Sequence, residues 1–175
     1  LIKGLVRSGR QVGAAKVTGT GAGGDFWQMK DAGASEVVDF TDAGYASTYM
    51  LPAAEVEKVF VRLLSHLGGL KLDAIVVEVA DGILQQETMD LLAAPGYRYY
   101  CNRLLLAAAD SMGAVSAAHW LQTRGIEISA VSGSLTTSPL AVREASGILG
   151  LPVLGKRELA DPSVAVGLFY GTGDA

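Results

Sequence analysis

The sequence predicts a three-layer α/β sandwich with a mainly parallel sheet, and three observations carry that expectation. The segment Leu72 to Leu84 holds an almost unbroken apolar run, Ala74 to Ala80, with three valines and an isoleucine. Runs of this kind suit a parallel strand covered by helices on both faces. Pro52 to Leu67 places Val56, Val59, Phe60, Leu63, Leu64 and Leu67 on one helical face, with Glu55, Glu57, Lys58 and Arg62 off it. Elsewhere strands and helices alternate, which implies parallel pairing through right-handed crossovers.

Taken in order, Leu1 to Gly9 reads as the second half of an amphipathic helix stopped by glycine. Gln11 to Val17 is the first strand, and Thr18 to Gly24 is a glycine-rich loop. Asp25 is placed to cap a short helix to Ala32. Glu36 to Phe40 is the second strand, with Asp39 and Asp42 at its end. The Pro52–Leu67 helix stops at Gly68-Gly69, and His66 in its last turn suits a helix C-terminus or solvent. The apolar run Ala74 to Ala80 follows, as a central strand. Gln85 to Leu92 is a helix stopped by Pro95-Gly96. Arg103 to Ala109 is a strand, and Ser111 caps a helix whose Ala114, Ala117, Ala118 and Leu121 share a face. Ile126 to Val131 is a strand, Ser138-Pro139 opens a helix, Pro152 to Leu154 is a short strand, and Asp161-Pro162 opens the last helix.

Composition narrows the setting. The 175 residues are half apolar and only 18% charged, enough to bury the core of a single domain. A net charge of −4 argues against a nucleic-acid or anionic-membrane partner, and the expected partner is a small-molecule substrate. The single cysteine, Cys101, has neither a disulfide partner nor metal-ligand spacing, and it reads as structural. With no span-length apolar stretch and no leader pattern, the expected location is the cytoplasm, and a homo-oligomer is left open. The Tyr97-Arg-Tyr-Tyr100 cluster reads as surface packing, and neither His66 nor His119 falls at a strand end where a catalytic triad would need it.

Polar residues gather where strands end: Lys16-Val-Thr18, Asp39-Phe-Thr-Asp42, Glu78 with Asp81, Asp110-Ser111 and Ser132-Gly-Ser134. In a parallel sheet these ends share one edge, where open α/β sheets bind ligands. Lysine neutralises phosphoryl charge, carboxylates hold Mg²⁺, and glycines let backbone amides approach an anion. The expected catalytic residues are therefore Lys16, Thr18 and Asp39. Gly19, Thr20, Gly21, Ser132 and Ser134 are expected to bind the cofactor, and Glu78 and Asp81 the metal.

The loop also fits a different cofactor. Gly19-Thr-Gly21-Ala-Gly-Gly24 matches G-x-G-x-x-G between a strand and a helix, with Asp39 placed for a ribose hydroxyl, as in NAD(P)-binding oxidoreductases. The following helix is short for a full crossover, and it opens with bulky Phe26-Trp27 where close packing is wanted.

A family resemblance covers more of the chain. Gly9-Arg-Gln-Val-Gly-Ala-Ala-Lys-Val-Thr-Gly19 resembles the second-strand region of the dethiobiotin-synthetase-like P-loop proteins, where a lysine followed by Thr/Ser-Gly succeeds the first helix. Val76-Val-Glu-Val-Ala-Asp-Gly82 is similar to that family's Val-Glu-Gly-Ala-Gly-Gly segment, whose glutamate binds Mg²⁺. Leu105 to Val131 resembles the strand, long helix and strand that follow there, and the order holds to about Leu154. The resemblance implies an ATP-dependent (or other NTP-dependent), Mg²⁺-assisted ligase or kinase acting on a small carboxylate or amine. Lys16 would contact phosphate or the acceptor carboxylate, and Glu78 would hold the metal.

The chain departs from that pattern in places. Asp81 stands where the family has glycine, Ser132-Gly-Ser134 lacks the asparagine that often reads adenine, and no G-x-x-x-x-G-K-[ST] occurs. A P-loop reading therefore expects a strand and phosphate loop supplied from upstream of Leu1 or by a partner chain. The chain also resembles the C-terminal domain of a poorly characterised two-domain P-loop family with members implicated in N-acylation of a D-amino acid. That resemblance implies N-acyl transfer as an alternative. A nucleotide-driven switch or metallochaperone of the same superfamily is a third possibility, although the surface Cys or His ligand pairs it would favour are not seen.

Overall fold

Strand β1 (Val12–Lys16) lies between β2 (Glu36–Asp39) and β3 (Ala74–Glu78) in a three-stranded parallel sheet. The computed structural model describes residues 1–80 and 82–171, and it is α/β as the sequence predicts. The chain divides into two compact units, one spanning Ile2–Tyr100 and the other running from Cys101 onward.

In the first unit both faces of β1 are covered, because its first four residues are all buried. Side chains alternate across a strand, so Val12, Ala14 and Lys16 share one face and Gly13 and Ala15 the other. Helix α3 (Ala53–Gly68) covers the Gly13 face, where a Cβ added at Gly13 would lie 3.3 Å from Leu67 and 2.6 Å from Leu72. Its buried stripe is the six residues its periodicity picks out. His66 in its last turn lies 3.5 Å from Glu36, and both are substantially exposed. Helix α1 (Ile2–Arg7) ends as expected at Gly9, whose φ of +86° few other residues adopt.

Three expectations for this unit are corrected. Helix α2 (Gly24–Asp31) starts one residue before Asp25 and has Gly23 as its N-cap, leaving the Asp25 side chain for another partner. Pro95-Gly96 does not merely stop helix α4 (Gln86–Ala93). Ala94 is extended, as a residue before proline prefers, and Pro95 opens a further short helix, α5 (Pro95–Tyr100). Tyr97 of α5 is buried against Phe60, with ring centroids 5.9 Å apart. Finally β1, not β3, is the central strand. Among the described residues β3 pairs only with β1, and Ile75 to Glu78 are half-buried.

The second unit holds a parallel pair, β4 (Leu105–Ala107) and β5 (Ala130–Ser132), extended by a bridge from Val131 to Val153. Both strands are shorter than expected. Ile126 and Ile128 are buried but lie outside the ladder. Helix α6 (Ser111–Gln122) is capped by Asp110, which accepts the Gly113 N–H, rather than by Ser111. Ser138 caps α7 (Pro139–Leu149), and Asp161 caps α9 (Pro162–Tyr170), as predicted. A 3₁₀ turn (Ser134–Thr137) and a one-turn helix, α8 (Lys156–Leu159), carry no strong periodicity of their own. No helix among the described residues is long and apolar enough to cross a membrane.

Candidate functional site

The C-terminal edge of the first sheet ends on three charged residues in register. Lys16 is paired with Asp39 of β2 on one side and with Glu78 of β3 on the other. Register partners in a parallel sheet project from the same face, so a lysine stands between two carboxylates on the face opposite α3. The Lys16 side chain is only 12% exposed and forms an ion pair with Asp25 of α2, which is 42% exposed. Asp25 thus belongs to the site, nine residues from its partner. Asp81 lies outside the described residues.

The predicted site residues play unequal parts. Thr18 is 2% exposed, and its hydroxyl accepts the Ala80 N–H at 2.8 Å and donates to the Ala80 carbonyl at 3.1 Å. This reciprocal clamp holds the β1 and β3 ends together beyond their ladder, and it occupies the hydroxyl predicted to be catalytic. The Asp39 carboxylate is buried and shapes its own turn. One oxygen accepts the Thr41 N–H at 2.7 Å and the Thr41 hydroxyl, while Asp42 accepts the Asp39 N–H at 2.9 Å. Such Asx bonds fix the chain reversal after β2.

The glycine-rich loop is held by a second loop. Gly19 N–H donates to the Thr48 hydroxyl at 2.8 Å, Gly21 N–H to the Ala46 carbonyl at 3.1 Å, and Thr48 N–H to the Gly19 carbonyl at 3.0 Å. Thr20 and Ser47 form an antiparallel bridge between the two loops. The amides that a pyrophosphate would need at Gly19 and Gly21 are therefore bonded within the protein. Tyr45, just before this second loop, donates to Glu55 at 2.7 Å. Hydrogen bonds from Lys58 and then Tyr45 hold the Glu55 carboxyl below the usual carboxylate range.

Ser132 and Ser134 belong to the second unit. Ser132 is buried and donates to the Leu154 carbonyl at 2.7 Å, tying β5 to the bridged segment. Ser134 is exposed and opens the 3₁₀ turn. Between them, Gly133 has φ +104°, and a Cβ there would sit 2.3 Å from the Ala108 oxygen. Burial pushes the Cys101 thiol up to about 11, which disfavours its thiolate at neutral pH.

The donor set decides what metal the edge can take. Mg²⁺ prefers oxygen ligands and is usually held by one or two carboxylates together with waters and substrate phosphates. Glu78 offers such an oxygen donor on the Lys16 face. No group of three His, Cys, Asp or Glu side chains among the described residues could form a ready-made cage. A lone carboxylate of this kind would suit only an ion that arrives with a phosphate. No protein-family model matches this chain, and no curated protein matches it.

Proposed function

We propose that this protein is an ATP-dependent, Mg²⁺-assisted ligase or kinase-like enzyme acting on a small carboxylate or amine. The observation that carries the reading is the in-register row Asp39–Lys16–Glu78 at the C-terminal edge of a parallel sheet. A mostly buried ammonium there neutralises phosphoryl or carboxylate oxygens in a partly desolvated setting, where charge pairing is stronger than in water. Mg²⁺, held by Glu78, would offset charge on the transferring phosphoryl group. Asp25 positions the lysine while no anion is bound. Asp39 and Thr18 contribute by fixing the strand ends.

One further feature separates the reading from a rival. The oxidoreductase alternative needs loop amides that are already bonded to Ala46 and Thr48.

Calorimetric titration with Mg·ATP and with NAD tests the proposal. Binding of Mg·ATP that is lost in Lys16→Ala, with no heat from NAD, is the expected result. Glu78→Gln should abolish the Mg²⁺ dependence while leaving the thermal midpoint nearly unchanged. Absence of nucleotide binding by the wild-type protein, or NAD binding weakened by Asp39→Ala, would overturn it.

A further inference from the structure

Met50 is the only non-glycine with positive φ among the described residues, at +59°. Methionine rarely adopts this left-handed conformation, and a side chain held there signals a constraint imposed from elsewhere. The constraint is visible. The Met50 N–H donates to a carboxylate oxygen of Glu87, 37 residues away in the first turn of α4. Glu87 is 6% exposed, whereas Met50 is 76% exposed, so the packing of the Met50 side chain does not explain its backbone.

The segment that Met50 terminates is the strap on the glycine-rich loop. Ala46, Ser47 and Thr48 make every contact described above to Gly19, Thr20 and Gly21, and Leu51 N–H closes a turn back to the Thr48 carbonyl at 3.1 Å. At its other end the strap is tethered through Tyr45 to Glu55. A buried carboxylate and a strained backbone thus stand immediately after the residues that occupy the loop amides.

We infer that Glu87 is a latch: by fixing Met50 in the left-handed conformation it keeps the Ala46–Thr48 strap closed on the glycine-rich loop, and its loss opens that strap without unfolding the sheet. Glu87 is a positioning residue in this device, acting through Met50 and Thr48. The inference concerns the exchange of loop amides and stands whether or not a nucleotide is the ligand.

Amide hydrogen exchange followed by NMR tests it. In Glu87→Ala the amides of Gly19 and Gly21 should exchange about tenfold faster, while those of Val12 to Lys16 keep their protection. Glu87→Gln retains an acceptor oxygen and should keep the strap closed. Glycine adopts positive φ without help, so Met50→Gly in the Glu87→Ala background should restore much of the lost protection. Unchanged exchange at Gly19 and Gly21 in Glu87→Ala, an equal loss of protection along β1, or no rescue by Met50→Gly would each overturn the latch.

Discussion

Lys16 faces Glu78 across the β1–β3 ladder and Asp39 across the β1–β2 ladder, and it is also ion-paired with Asp25 of the next helix. An anionic ligand arriving at this edge must compete with Asp25 for the ammonium. Asp25→Asn should therefore tighten Mg·ATP binding several-fold in calorimetry. A part-exposed ion pair contributes at most about 1 kcal/mol, so the thermal midpoint should barely move. Weaker binding in Asp25→Asn would instead make the aspartate essential for orienting the lysine.

Thr18 separates a clamp from a catalyst. Its hydroxyl satisfies both the N–H and the carbonyl of Ala80. Thr18→Val keeps the shape but leaves the Ala80 N–H unpaired, while the Ala80 carbonyl keeps the Thr88 hydroxyl at 3.0 Å; the lost bond should cost about 1–3 kcal/mol in denaturant unfolding. Thr18→Ser keeps the hydroxyl and should retain stability and turnover. Loss of turnover in Thr18→Ser without loss of stability would return the residue to a chemical role.

How far the sequence reveals this arrangement depends on the distance over which each contact acts. The α3 stripe and the apolar β3 run are legible because periodicity records burial locally. Lys16, Asp39 and Glu78 are legible as strand ends, and parallel pairing then brings them into one row. Asp25 reads as a helix cap because it follows glycines. Its real partner is set by where β1 ends, which local pattern does not encode. Thr48 and Glu87 carry no sequence signal, since their partners lie 29 and 37 residues away and depend on loop conformation. The strand expected over Ile126 to Val131 pairs only at Ala130 to Ser132, because β4 supplies partners for those three positions alone, which the apolar pattern does not record.

Cys101 provides a pH readout. Its thiol is raised from an ordinary value of 9.0 to about 11 by burial. A pKa raised on folding contributes stability that is fully present below the unfolded value and is lost as pH rises through the folded one. Stability linked to this thiol should therefore be intact up to pH 9.0 and decline toward about 11. Iodoacetamide at pH 8 should leave the native protein almost unlabelled and modify the guanidinium-unfolded chain fully. Rapid native labelling would show an accessible thiolate.

The same substitution at two glycines should give opposite outcomes. At Gly13 a new Cβ would lie 2.6 Å from the Leu72 Cδ1, the far end of a flexible and only half-buried side chain. Leu72 can swing aside, and alanine also restricts the unfolded chain, so Gly13→Ala should change stability by less than about 1 kcal/mol. At Gly133 the added Cβ would meet the Ala108 backbone, 2.3 Å from its oxygen and 2.6 Å from its nitrogen, at a φ of +104°. Neither the strand nor the strained dihedral can yield cheaply. Gly133→Ala should therefore cost roughly 3 kcal/mol or more in chemical denaturation, combining backbone strain with overpacking. Equal effects at the two sites would mean that the Ala108 backbone moves as readily as the Leu72 side chain, and the close approach of Ala108, just after β4, to Gly133 would then lose its structural weight.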